Sequence, residues 1–178
     1  MNNNSTKMIK IIVFSGLFMA LTTVMTAFFH VPSPGGNGYI HLGDSVIYLS
    51  SVLLPFPCGI LVGGIGGALS DLISGFAAYA IPTLIVKSIN ASCFYLLRAR
   101  GEKIVSKRSI IALILSSIVT VVGYFIVALI LYKDISFKAQ LIATVPGNLI
   151  QAVGSAVLFL FIGSALDRIN IKGKINLK

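Results

Sequence analysis

Charge is scarce in this sequence. Aspartate and glutamate together number 5 in 178 residues, charged residues of both signs make up 11%, and hydrophobic residues make up 56%. A soluble domain carries roughly 25% charged residues, so the composition excludes one and marks an integral membrane protein. Histidine is nearly absent, with only His30 and His41. No H-E-x-x-H occurs, and a Ser–His intramembrane protease needs a histidine deep on a span, where neither lies. The two cysteines, Cys58 and Cys93, lie in apolar runs without metal-ligand spacing and read as small buried hydrophobes. No G-x-x-x-x-G-K motif is present, which excludes ATP binding by a P-loop. An enzyme is therefore not expected, nor a cofactor or metal. There is neither a strong internal repeat nor a low-complexity tract.

What is present is a series of apolar runs. They read as a single integral membrane domain over 1–178, an all-α bundle of six transmembrane helices at about 9–29, 41–54, 57–79, 82–97, 109–132 and 140–166. The first run of 21 residues gives about 31 Å of helix, enough to span. It is too long for a signal peptide and lacks a convincing A-x-A site. The second run gives only about 21 Å and spans with help from its neighbours. Residues 1–8 read as a frayed polar start, and 30–40 (HVPSPGGNGYI) as a loop. Pro55-Phe56-Pro57 reads as a tight break. Ala80-Ile81-Pro82 reads as a turn with Pro82 in the first turn of the next helix.

The formal net charge of +9 raises the question of nucleic acid. However, the basic residues collect at span ends on one side. With the N-terminus inside, the inner segments hold eleven Lys or Arg, against Lys133 and Lys138 outside and Lys87 within a span. The positive-inside rule then places both termini in the cytoplasm and explains the charge without any polyanionic partner.

Residues 42–90 organise the rest. Gly59, Gly63, Gly67, Asp71 and Gly75 follow one another at steps of four, which keeps them on one slowly drifting helix face. Small residues at this spacing let membrane helices approach closely. A carboxylate inside an apolar helix is costly and should face protein or a wet cavity. The stretch reads as a packing ridge leading to a polar site.

Depth sharpens this. Counting from the outer span ends, Asp71, Lys87, Asn90, Asn148 and Gln151 all fall roughly 7–17 Å below the outer surface. Lys87 with Asn90, and Asn148 with Gln151, share faces at i, i+3. The layer reads as the floor and walls of a pocket open to the outside. The alternatives stay open: Asp71 and Lys87 as an ion pair across the 79–82 turn, either structural or also serving a ligand; Asn148 and Gln151 as interhelical hydrogen bonders. Pro146 and Gly147 loosen the helix there and favour backbone groups being presented to a ligand. Asp44, beside His41 at the outer end of the second span, suits a helix N-terminus. Tyr39, Tyr79 and Tyr124 are either interfacial belt residues or an aromatic wall for a flat ligand.

These features in this order, a small-xxx-small first helix, a Pro/Gly outer loop, LGD at 42–44, GGIGGALSDLISG at 63–75, TLIVKSI at 83–89 and GNLIQ at 147–151, carry a likeness. Over about residues 8–166 the chain resembles the substrate-binding S components of energy-coupling factor (ECF) vitamin transporters. The resemblance implies a six-helix protein that captures a vitamin in an outward pocket beneath its first outer loop. It implies docking, through small residues on the first helix, onto a transmembrane coupling subunit driven by two ATPase subunits. The family's A-x-x-x-A motif reads here as Gly16-Leu17-Phe18-Met19-Ala20, so Gly16 and Ala20 are the expected docking residues. The substrate-binding residues expected are Asp71, Lys87, Asn90, Asn148, Gln151, His41 and Tyr39. A pyridoxine- or hydroxymethylpyrimidine-like substrate is favoured, with a pantothenate-like one next. The rival readings are a ligand-free membrane assembly subunit and a small solo secondary carrier.

Overall fold

The computed structural model describes residues 3–33, 39–98, 101, 103–175 and 177. Within them the chain is a helical bundle with one small hairpin. The helices are α1 (Asn3–Ala27), α2 (Asp44–Leu53), α3 (Cys58–Ile73), α4 (Ala77–Leu97), α5 (Lys107–Leu131), α6 (Phe137–Arg168) and the short α7 (Ile171–Ile175). Between α1 and α2, β1 (His30–Pro32) pairs antiparallel with β2 (Tyr39–His41), with His30 opposite His41. The segment expected as a plain loop is thus a hairpin; its glycine-bearing tip, 34–38, lies outside the described residues. The polar start expected to fray is helical from Asn3.

Among the described residues, four helices are long and apolar enough to cross a membrane: Asn4–Ala27, Ala77–Leu97, Lys107–Leu131 and Phe137–Arg168. Their outward faces carry large apolar side chains such as Ile12, Ile118 and Val157, all more than half exposed. So much exposed apolar surface is what a bilayer covers. The two shorter apolar helices, α2 and α3, lie further inside.

α2 is the pivot. All ten of its residues are buried, and it touches α1, α3, α4 and α6. Although four of the ten are Asp44, Ser45, Ser50 and Ser51, the helix is sheathed by protein on every side. Ser45 and Ser50 return their hydroxyls to α2-end carbonyls, Leu42 O at 2.7 Å and Ile47 O at 2.8 Å, so they add no unsatisfied donor.

The glycine ridge on α3 lets its neighbours close in. A Cβ at Gly63 would stand 3.0 Å from Ile47 of α2 and 3.2 Å from Ala91 of α4, and one at Gly67 would stand 2.9 Å from Thr83. The opposite face uses Gly66, where a Cβ would meet the Met19 carbonyl of α1 at 3.1 Å. Since lipid tails are as apolar as leucine, such close contact and its dispersion energy hold membrane helices together.

Gly75 is not part of this ridge. It ends α3 with φ +82°, while Phe76 N–H donates to Asp71 O at 2.8 Å and Gly75 N–H to Leu72 O at 3.5 Å. These are the two bonds of a Schellman cap, which needs a left-handed residue where glycine is favoured. The α3–α4 turn therefore falls at 74–76 rather than at 80–82. Pro82 lies inside α4, in its second turn, where only one backbone bond is forfeited.

Away from the hairpin, Tyr48, Phe94 and Phe159 pack with ring centroids 4.7, 5.3 and 6.0 Å apart and anchor the apolar core. There Asp167 of α6 accepts from Ile104 N at 2.6 Å and Val105 N at 2.9 Å, tying the α4–α5 connection to the end of α6.

Candidate functional site

At the hairpin end, α3, α4, α5 and α6 enclose a cavity roofed by Ile40, Tyr39 and Ser33. The close seat of the hairpin on α6 depends on Gly147, where a Cβ would lie 2.7 Å from Ser33 Oγ. The room inside is about 50 Å³, enough for a few waters. The walls are Asp71 from α3, Tyr79 and Thr83 from α4, Tyr124 from α5, and Thr144, Asn148 and Gln151 from α6.

Five of the seven binding residues expected from sequence line this cavity: Tyr39, His41, Asp71, Asn148 and Gln151. Lys87 and Asn90 do not. Asn90 is fully buried and donates through Nδ2 to Ser116 O at 3.0 Å and Thr120 Oγ1 at 2.6 Å, joining α4 to α5. Tyr79 and Tyr124, open between belt and wall, both stand in the wall. Tyr124 donates to Thr83 Oγ1 at 3.1 Å, and Tyr79 to the Tyr132 hydroxyl at 3.2 Å.

The expected Asp71–Lys87 pair is not formed. Lys87 Nζ instead meets Asp44 Oδ1 at 2.6 Å, with both side chains essentially without exposure. Asp44 is the first residue of α2, but its carboxylate turns inward rather than capping the helix, and its Oδ2 accepts from Gln151 Nε2 at 3.1 Å. The Gln151 amide oxygen in turn accepts from His41 N at 3.4 Å. One chain of contacts thus runs from α4 through α2 and α6 to the hairpin. Each member satisfies the next, as buried polar groups must. His41 Nδ1 accepts from Gly43 N at 3.1 Å, so in the neutral ring the proton sits on Nε2.

Freed from Lys87, Asp71 takes the hairpin as partner: Tyr39 Oη donates to its Oδ1 at 2.6 Å. Burial first, and the adjacent Asp71 carboxylate second, push the Tyr39 hydroxyl pKa well above its ordinary value, so it stays a donor. Asp71 Oδ2 and Thr144 Oγ1 are buried without partners. Thr144 and Thr83 were not singled out in the sequence, since threonine is common in apolar helices. The signal available was spacing: Thr144, Asn148 and Gln151 lie at i, i+4 and i+7, one helix face. Asn148 Nδ2 donates back to Thr144 O at 3.0 Å.

On α1, Gly16 and Ala20 are both exposed, and nothing lies within 4 Å of a Cβ built at Gly16. The notch they form does not pack on the α3 ridge. That contact is made one turn along, where Thr23 Oγ1 donates to Gly66 O at 3.1 Å.

A multi-helix membrane chain with a buried polar cavity under a hairpin defines a class of small-molecule transport components. The profile of the family described as "ECF-type riboflavin transporter, S component" matches residues 6–168, and the chain belongs to that family. It is accordingly a multi-pass cell-membrane protein of vitamin transport. Two curated relatives are similar to it. One is an "Uncharacterized protein in gap 3'region" of Pyrococcus woesei, 31% identical over 136 residues, 76% of this chain and 87% of the relative. The other is "Thiamine precursor transporter HmpT" of Lactococcus lactis subsp. cremoris (strain MG1363), 29% identical over 166 residues, 93% of this chain and 92% of the relative.

Proposed function

We propose that the protein is the high-affinity, membrane-embedded substrate-binding subunit of an ECF-type importer. Its substrate is a small single-ring vitamin or precursor, hydroxymethylpyrimidine- or pyridoxine-like, with a pantothenate-like compound the next candidate. The observation that carries this reading is the gathering of Tyr39, Asp71, Tyr124 and Asn148, from the hairpin and three helices, around one enclosed cavity. Aromatic faces suit a flat ring, and a few convergent polar groups fix its orientation. The relative named as a thiamine precursor transporter supports the pyrimidine.

In this reading α1 to α6 are six spans with both termini cytoplasmic, and the hairpin closes the pocket from outside. Tyr39, His41, Asp71, Asn148 and Gln151 meet the substrate, while Lys87 and Asn90 support them from behind. The open Gly16–Ala20 notch receives the coupling subunit, which works with two ATPase subunits. A ligand-free assembly subunit would have its buried polar groups mutually satisfied. What supports a ligand site instead is that Asp71 and Thr144, each with an oxygen lacking a protein partner, line the same open volume.

The test is mass spectrometry of small molecules released from the purified, denatured protein, followed by calorimetry with whatever is found. A retained heteroaromatic vitamin or precursor is expected. Absence of any retained or bindable vitamin would overturn the reading. Uptake into liposomes by this chain alone, driven by an ion gradient, would make it a solo carrier instead.

A further inference from the structure

We propose that Asp71 divides its two carboxylate oxygens between the protein and the substrate. Oδ1 holds the hairpin shut through Tyr39, and Oδ2 takes a hydrogen-bond donor on the substrate's ring. The site then selects amino-bearing rings without an anionic group and rejects carboxylates and phosphate esters. This rests on the pocket reading above and deepens it.

The two oxygens are unequal in the structure. Oδ1 has the Tyr39 hydroxyl at 2.6 Å, while Oδ2 is buried and makes no hydrogen bond of good geometry, with the Thr83 hydroxyl as the carboxylate's other polar neighbour, although Asp71 is only 5% exposed and lines the cavity. A buried carboxylate oxygen without a protein partner needs one from elsewhere. The cavity is where a partner can come from. Opposite it, Thr144 Oγ1 on α6 is equally unpartnered and 7% exposed. Together they present an acceptor on one wall and a hydroxyl on the other, which fits a ring with an amino group at one edge and a hydroxyl-bearing arm at the other.

Charge argues in the same direction. Among the described residues, the cavity lining contains no lysine or arginine. The nearby cation, Lys87, is committed to Asp44 at 2.6 Å, and its ammonium stands 5.1 Å from the centroid of the Tyr124 ring. A carboxylate or phosphate entering here would meet Asp71 with no counter-charge in the wall. Of the substrate classes considered, the pantothenate-like one is thereby disfavoured.

The deciding variant is Asp71→Asn, because it separates the two jobs. The amide oxygen can still accept from Tyr39, so the hairpin keeps its anchor, but an NH₂ now faces the substrate's donor. Calorimetry on the full-length purified chain would use four probes. These are hydroxymethylpyrimidine with its exocyclic amino group, the same ring with hydrogen in place of that group, its phosphate ester, and pantothenate. In the wild type, the three other probes should bind about 10- to 100-fold more weakly than the amino-bearing ring. In Asp71→Asn the amino-bearing ring should lose a similar factor, and the analogue without the amino group about threefold or less. Tyr39→Phe should weaken both rings by the same factor, since the hydroxyl it removes is spent on Asp71 Oδ1 and not on the ring's amino group. Should Asp71→Asn not fold, the wild-type comparison of the two rings still decides. Equal binding of the two rings, or phosphate ester or pantothenate binding as tightly as the amino ring, overturns the division of Asp71 and leaves the pocket standing. A folded wild type that binds none of the four, nor pyridoxine, overturns the pocket reading itself, and this inference with it.

Discussion

Tyr48, Phe94 and Phe159 close one layer of the bundle with rings 4.7 to 6.0 Å apart, whereas the layer under the hairpin leaves oxygens of Asp71 and Thr144 unpartnered beside a cavity. The same helices build both. α2 contributes Tyr48 to the first and Asp44 to the floor of the second, and α6 contributes Phe159 and Thr144. In the aromatic layer each ring fills space that another leaves, although the Tyr48 hydroxyl is itself buried without a protein partner. In the hairpin layer, space and bare acceptors are retained. The difference teaches a division of labour: close packing is concentrated in the aromatic layer, and open volume beside polar groups is kept under the hairpin. Between them, the Asp44–Lys87 pair is the floor of the polar layer and the ceiling of the apolar one.

That floor should give the largest effect. Lys87→Met would leave Asp44 buried beside Gln151 without its counter-charge and should cost about 3–5 kcal/mol, read as a lower unfolding midpoint in detergent. The double variant with Asp44→Leu should recover most of it, because two matched apolar groups need no partner. A single variant as stable as the wild type would mean the pair is not what joins the layers.

Phe94→Ala comes next, at about 3 kcal/mol, because the packed layer cannot close over a missing ring. Its affinity for hydroxymethylpyrimidine, measured well below the new midpoint, should be unchanged. A large loss of affinity would show that the two layers are not independent.

Asn148→Leu should do the reverse. Its stability should stay within about 1 kcal/mol of wild type, while affinity falls tenfold or more as a ligand hydrogen bond is traded for an apolar group. Unchanged affinity by calorimetry would remove Asn148 from the site.

The smallest effect on the chain itself is expected at Gly16→Leu. Nothing lies near that position, so stability and affinity should move by less than about 0.5 kcal/mol. ATP-driven uptake in the presence of the coupling module should nevertheless be lost. Normal uptake would show that the notch docks nothing.

The polar layer was legible in the sequence because position along a helix converts directly into depth. For Asn148 and Gln151 on α6 this holds, but on the α3–α4 side it does not, because α3 ends at Ile73 rather than Tyr79 and Lys87 lies ten residues into α4 rather than five, below the cavity. Partners were less legible. Asp71 lies 16 residues from Lys87 and Asp44 lies 43, so nearness along the chain favoured the wrong carboxylate. What decides is that α2, short enough to read as a doubtful span, sits between α3, α4 and α6. Once it is there, Asp44 is the nearer neighbour and Asp71 is released to the hairpin. The α3–α4 boundary was misplaced for a related reason. Gly75 continues the step-of-four pattern by coincidence, and only its positive φ identifies it as a terminator. A periodic pattern cannot distinguish a small residue chosen for packing from one chosen for its backbone.

The complete enclosure of α2 also constrains how the chain is made. As it leaves the ribosome, α2 is a ten-residue helix carrying Asp44, too short and too polar at one end to rest stably in lipid by itself. Its final neighbours arrive in order, with α1 already present, then α3 and α4 with Lys87, and last α6 with Gln151. Membrane insertion of the second helix is therefore provisional until nearly the whole chain has been synthesised. A nascent chain that stops before α4 leaves Asp44 without its counter-charge, and one that stops before α6 leaves it without Gln151 and α2 without part of its sheath.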